Sequence, residues 1–263
     1  MKKTFSARLG RALLAAAWGA FWFCLFLLFE WVALAAVPRD FRALLTFLLL
    51  LPVVLLLPPS VLPEDKASLP APRRAAEYLS LRPVSSRAAA LSFVLGAAFQ
   101  LFVSGTLMLL PLPAGMMENY AEASAPLADR SFTALLAVVL FTPLAEETTF
   151  RALMLGSFRR GMPAWLALPL SAGIFALCHT DPLWIAYAFV SGLLLGGVML
   201  LWDSVLPSLL FHAAFNLTNY VRALLLPDPS RAGWGILLAA GLTVSGAAFA
   251  LSLIGRKKER KEI

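Results

Sequence analysis

The stretch 131–157, SFTALLAVVLFTPLAEETTFRALMLGS, decides how this chain folds. It is apolar enough and long enough to cross a bilayer as a helix, yet it carries Glu146, Glu147 and Arg151 in its second half. A helical crossing needs about 20 mostly apolar residues. An ionisable side chain near the centre of such a helix costs roughly 2.5–3.5 kcal/mol on insertion scales. Side chains kept at that cost point to a functional site buried in the membrane.

The rest of the chain has the same character. Of 263 residues, 60% are hydrophobic and 14% charged, more apolar surface than a water-soluble domain of this size can hide. The expected fold class is all-α, a polytopic integral membrane protein with about eight transmembrane helices. The spans fall near 12–37, 41–62, 88–112, 131–157, 163–179, 183–202, 205–226 and 233–255. Segment 64–87 is rich in Pro, Ser and Arg and reads as a solvated loop, and 113–130 is a mildly acidic connection broken by Pro and Gly. Three units follow: N-terminal helices and loops over 1–130, a catalytic core over 131–226, and a last helix with a basic tail over 227–263.

The net charge of +7 is spread in short basic segments between apolar runs, a membrane-surface pattern rather than a nucleic-acid one. With the N-terminus inside, sixteen Lys and Arg fall on the cytoplasmic side and five outside, and Arg151 within a span completes the 22. That bias predicts both termini in the cytoplasm. The N-terminus, MKKTFSARLGR before an apolar run, superficially resembles a secretory signal with Ala33-Leu34-Ala35 as a mock cleavage site. The apolar run from Leu13 exceeds the 7–15 residues of a signal core, so an uncleaved first span is expected. Cys24 and Cys178 lie within apolar runs without metal-knuckle spacing, and Cys178 reads as core packing. Gly192 and Gly196, extended by Gly197, form a small-residue stripe suited to close helix packing.

Chemistry-bearing residues fall in three short patterns: Glu146-Glu147-Thr-Thr-Phe-Arg151, Phe175-Ala-Leu-Cys-His179 and His212-Ala-Ala-Phe-Asn216. His179 and His212 are the only histidines. Glu147 and Arg151 are four apart, so they stack on one helical face as a supporting ion pair. Glu146 lies about 100° around the helix without a partner at matching spacing, which suits a general base. His212 and Asn216 share a helical stripe and can both donate to one oxygen, as a tetrahedral intermediate requires. His179 either orients a water against Glu146 or ligates a metal with His212 and a glutamate. HExxH, GxSG and GxGD signatures are absent.

EExxxR, FxxxH and HxxxN in successive spans resemble the CPBP family of intramembrane proteases, relatives of the type II CAAX prenyl endopeptidase also called the ABI family. The resemblance covers roughly 130–226. It implies that Glu146 and His179 activate water, that His212 and Asn216 form the oxyanion hole, and that Glu147, Arg151 and Phe175 support them. It also implies a membrane-associated peptide or protein substrate and a site opening toward the cytoplasm. Zn2+ would be satisfied by Glu146, His179 and His212 with an open water position; a metal-free site would use the same side chains. In a bacterium the location would be the inner membrane, and a signal-like or bacteriocin-type peptide fits better than a prenylated one. A non-catalytic scaffold or immunity-type protein of the same fold is the main alternative, and a proton-coupled transporter a second. One expectation is awkward. Along straight spans Glu146 falls near mid-membrane, His179 near the outer end and His212 nearer the cytoplasm, so a common site needs staggered or tilted helices.

Overall fold

Helices stand at all eight expected positions. The computed structural model describes residues 2–57, 66, 68–124, 129, 131–225 and 229–259, and every regular element among them is helical, with no strand. In chain order these are α1 (Lys2–Ala36), α2 (Arg42–Leu55), α3 (Ala71–Tyr78), α4 (Ser86–Leu109), α5 (Ala114–Ser124), α6 (Phe132–Gly161), α7 (Ala164–Leu177), α8 (Pro182–Trp202), α9 (Val205–Leu225) and α10 (Arg231–Glu259). Five of them, α1, α4, α6, α8 and α10, are long and apolar enough to cross a membrane. The other three at expected positions differ: α2 and α7 have 14 residues each, and α9 carries the polar residues of the third motif. Arg130, the end of the 41–62 span, the boundary at 226–227 and tail residues 260–263 lie outside the described residues.

Two elements appear where loops were expected. Within 64–87, Pro70 and Pro72 flank the start of α3, since proline tolerates a first turn whose N–H groups are unpaired anyway. Lys66 and Arg82 both pair with Glu77 on α3, and Arg82 also reaches Asp203 at the end of α8. Within 113–130, α5 is amphipathic at most weakly and has no buried residue. Its Tyr120 ring meets Tyr187 of α8 edge-on at 6.3 Å.

The interior divides into three apolar clusters. Phe26, Phe150, Met154, Phe158 and Phe175 join α1, α6 and α7. Leu95, Phe99, Trp202 and Phe211 join α4, α8 and α9. Trp22, Leu50, Tyr78 and Leu153 join α1, α2, α3 and α6. Helix α4 packs most extensively, against α9 and α10, and it does so at backbone distance. A methyl group on Gly96 would sit 2.1 Å from the Phe211 carbonyl oxygen, and one on Gly241 would sit 2.4 Å from the Phe102 nitrogen.

The glycine stripe of α8 is used in part. Gly192 and Gly196 face Ala172 and Leu168 of α7, whereas Gly197 has nothing within 4 Å and takes no part in the contact. Cys178 also departs from expectation: it is exposed rather than in the core, as is Cys24, and neither is in a disulfide. The last turn of α7 aims it outward.

Close backbone packing gives a direct test. Gly96→Ala is expected to destabilise the protein by about 1–3 kcal/mol through overpacking against α9, read as a lowered unfolding midpoint in detergent micelles. Gly197→Ala, facing open space, should leave the midpoint unchanged or slightly raised, because alanine favours helix over glycine.

Candidate functional site

Helix α6 is wound more widely than an α-helix over Ala137–Phe141 and Glu147–Leu155, where it takes the π form. The Thr142 N–H donates to the Ala137 oxygen and the Gly156 N–H to the Arg151 oxygen, each five residues back. Local chemistry explains the winding. Pro143 has no N–H to give. Thr149 Oγ1 donates to the Ala145 carbonyl at 2.8 Å, and Ser171 of α7 donates to the Phe150 carbonyl at 2.8 Å. Side chains that enter the backbone ladder in this way displace its register.

The first π segment leaves one carbonyl without a helical donor. The Val138 oxygen would take its bond from residue 143, a proline, while the Thr142 N–H is already committed to Ala137. Asn216 of α9 fills the gap, its Nδ2 donating to the Val138 oxygen at 2.7 Å. An amide nitrogen carries two hydrogens, so a second donor remains on Asn216, which also lines the site cavity.

Glu147 is fully buried and is held from three sides. Ser208 Oγ donates to its Oε2. His212 Nδ1 lies 2.7 Å from its Oε1. Arg151 Nη1 lies 3.1 Å from the same oxygen, as the four-residue spacing predicts. Arg151 is 2% exposed, and neither Nη1 nor Nη2 finds a well-aligned acceptor. The face of Phe175 covers the guanidinium instead, at 4.1 Å from its centroid. Because an ionised carboxylate only accepts hydrogen bonds, His212 Nδ1 must carry the proton of that contact.

The other imidazole nitrogen faces Glu146. His212 Nε2 lies 3.8 Å from Glu146 Oε2, too far for a direct hydrogen bond. The adjacent glutamates thus address opposite nitrogens of one ring. The imidazole that Glu146 faces comes from α9.

His179 lies beyond α7, which ends at Leu177, in the short turn before α8. Its Nδ1 is 3.3 Å from both the Phe175 and the Ala176 carbonyl oxygens. Carbonyls only accept, so this nitrogen carries a proton, and in the neutral ring Nε2 then presents a lone pair. The ring lies against Phe175 and Trp184, at 5.2 and 5.1 Å between centroids. Trp184 is placed in turn by Asp181, whose carboxylate caps α8 by accepting from the Leu183 and Trp184 N–H groups. Phe175 also meets His212 edge-on at 6.4 Å.

Glu146, His179, His212 and Asn216 line one cavity of about 120 Å³, bounded by Thr142, Trp184, Tyr187, Leu195, Phe211 and Asn219 among others. The depth mismatch expected from straight spans does not separate them, because His179 sits on a turn and α6 is rewound. Glu147 and Arg151 stand behind this cavity rather than in it. Sequence reasoning missed Ser208, although its place four residues before His212 was a usable signal. It also missed Trp184, Tyr187 and Asn219, for which no motif exists. Among the described residues no group of three or more His, Cys, Asp or Glu side chains gathers as a metal site. A catalytic zinc asks for three protein ligands, and no step below runs through a metal.

Five membrane-length apolar helices define the class, a polytopic helical membrane protein. Within it, residues 128–218 match the family model described as Type II CAAX prenyl endopeptidase Rce1-like. This bears out the resemblance to CPBP intramembrane proteases, and the family implies a protease. The matched stretch contains all three motifs and ends one residue before Asn219. No curated protein and no solved structure matches the chain.

The Glu147 cluster predicts a large loss on breaking it. Arg151→Met leaves a carboxylate buried without its countercharge and is expected to cost about 3–5 kcal/mol, measured as the unfolding midpoint in micelles. Adding Glu147→Gln should recover part of that loss; equal or greater destabilisation in the double variant would contradict the pairing.

Proposed function

We propose that this chain is an intramembrane endopeptidase that hydrolyses a peptide bond in a membrane-associated peptide or protein, with Glu146 as general base. The observation that carries this reading is the shared cavity, into which two helices and a turn bring a carboxylate, two imidazoles and an amide. Water held there gives one hydrogen bond to Glu146 and the other to the bare Nε2 of His179, leaving an oxygen lone pair for the scissile carbonyl. Glu146 takes the water proton as the carbon–oxygen bond forms and passes it to the departing amine nitrogen, so it ends as it began.

The oxyanion falls to His212 Nε2–H and the second N–H of Asn216. That role needs His212 doubly protonated, with Nδ1 on Glu147 and Nε2 available to donate. Two glutamates, one arginine and one imidazolium then sum to zero charge, the cheapest state for a cluster buried this deeply. Donors fixed in advance toward a developing charge are worth most in such a dry site. Thr142, Trp184, Tyr187, Leu195 and Phe211 enclose it and limit water.

The basic residues support an orientation with both termini in the cytoplasm, in the inner membrane if the cell is bacterial. The eight-span count belongs to the same proposal.

Glu146→Gln keeps the shape but removes the base, and is expected to lower peptide cleavage by about 10²–10⁴-fold while uncleaved substrate accumulates on the variant in native membranes. A scaffold or immunity-type protein would keep its phenotype with this substitution, and that result would sink the enzyme reading. Treatment with EDTA is expected to leave the cleavage rate unchanged; a loss restored by added Zn2+ would replace the side-chain mechanism with a metal-assisted one.

A further inference from the structure

Helix α4 is apolar around its middle, with Leu95, Ala98, Phe99 and Val103 buried, yet Gln100 stands among them at 3% exposure. Its Nε2 donates to Ser104 Oγ at 2.8 Å and to Asn219 Oδ1 of α9 at 2.9 Å. Both amide hydrogens are therefore used, while its Oε1 is buried without a partner. What the arrangement does is fix the amide of Asn219. With Oδ1 turned to α4, the Nδ2 of the same planar group points the other way, and Asn219 lines the site cavity. Its Nδ2 makes no hydrogen bond among the described residues.

We propose that Asn219 is a substrate-binding residue whose Nδ2 donates to a backbone carbonyl of the bound peptide beside the scissile bond, and that Gln100 is the positioning residue that aims it. The proposal rests on the endopeptidase reading for what occupies the cavity. Asn219 follows Asn216 by three residues, about 4.5 Å along the helix axis. An extended peptide advances roughly 3.3 Å per residue, so a chain whose reacting carbonyl meets Asn216 brings a neighbouring peptide group within reach of Asn219. A backbone carbonyl is the acceptor that every peptide supplies regardless of its side chains. It is also the group most in need of a donor in a cavity walled by Trp184, Leu195, Phe211 and Phe215. Gln100 and Asn219 both lie outside the family-matched stretch 128–218.

The test uses the full chain in phosphatidylcholine–phosphatidylglycerol vesicles with an internally quenched peptide of leucine and alanine flanked by lysines. Cleavage gives kcat and KM; fluorescence anisotropy of the labelled peptide on a Glu146→Gln background gives Kd. Asn219→Leu is expected to raise KM and Kd about 5–10-fold, the worth of one net hydrogen bond, with kcat within about twofold. Gln100→Leu should give a smaller rise of the same kind, and the double variant should be no worse than Asn219→Leu alone. Asn219→Ser, which keeps a donor, should recover part of the affinity and serves if the leucine variant does not fold.

Unchanged KM and Kd in Asn219→Leu and Asn219→Ser overturn the proposal, as does a loss confined to kcat. Additive effects of the two leucine variants overturn the positioning role of Gln100. If the parent binds the probe without cutting it, and Asn219→Leu binds more weakly, the binding role stands and the endopeptidase reading falls. If the parent neither binds nor cuts, both fall.

Discussion

The carboxylate of Glu147 is the fixed point of this molecule. It is fully buried, and it ties two helices of the site together. One oxygen takes the Arg151 ion pair and the His212 Nδ1 hydrogen bond, and the other takes the Ser208 hydroxyl. Arg151 comes from the same helix, while Ser208 and His212 come from α9, so the charge bolts α6 to α9. A buried ion pair is seldom more stable than an apolar pair of equal size. Its worth here is directional: by claiming Nδ1 it turns Nε2 of His212 toward Glu146. Two neighbouring glutamates thereby have opposite duties, one structural and hidden, the other open to the cavity.

A second constraint acts through the backbone. Proline at 143 and the wide winding before it leave the Val138 carbonyl without a helical donor, and Asn216 supplies one. The amide proposed to help hold an oxyanion is thus anchored by its first hydrogen while offering its second. An anchored donor loses little freedom when it meets its target, which is what preorganisation means energetically. The irregularity of α6 and the polar residue on α9 are parts of one arrangement.

Much of this was legible in the sequence because the signals are local. Hydropathy marked every helix of the core, since apolar runs of span length have few other uses. The four-residue spacings of Glu147–Arg151 and His212–Asn216 marked two faces correctly as sets of neighbours. The short α3 and α5 were less visible, because their polar composition resembles that of loops. The winding of α6 could not be read. It depends on Ser171 from another helix as much as on Thr149 and Pro143 within it, and hydropathy carries no trace of that. Distances reckoned along straight spans consequently separated His179 from Glu146. Placing the histidine required knowing that α7 stops at Leu177. Ser208 was readable as one more turn of the His212–Asn216 stripe. Gln100 and Asn219 were not, because their pairing joins residues 119 positions apart and single polar residues in apolar runs are individually ambiguous.

The glycine contacts of α4 bear on how anything reaches the cavity. Gly96 brings α4 onto the α9 backbone, and Gly241 brings α10 onto α4, so these three rods mesh main chain to main chain. Sliding or splaying them would break many contacts at once, and packed interfaces of this kind do not deform gradually. That wall is a fixed hinge plate. The opposite rim is built differently: α5 buries no residue and rests on α8 through the meeting of Tyr120 and Tyr187. Swinging aside this lightly seated helix disturbs less of the interior than parting α4 from α9 or α10 would.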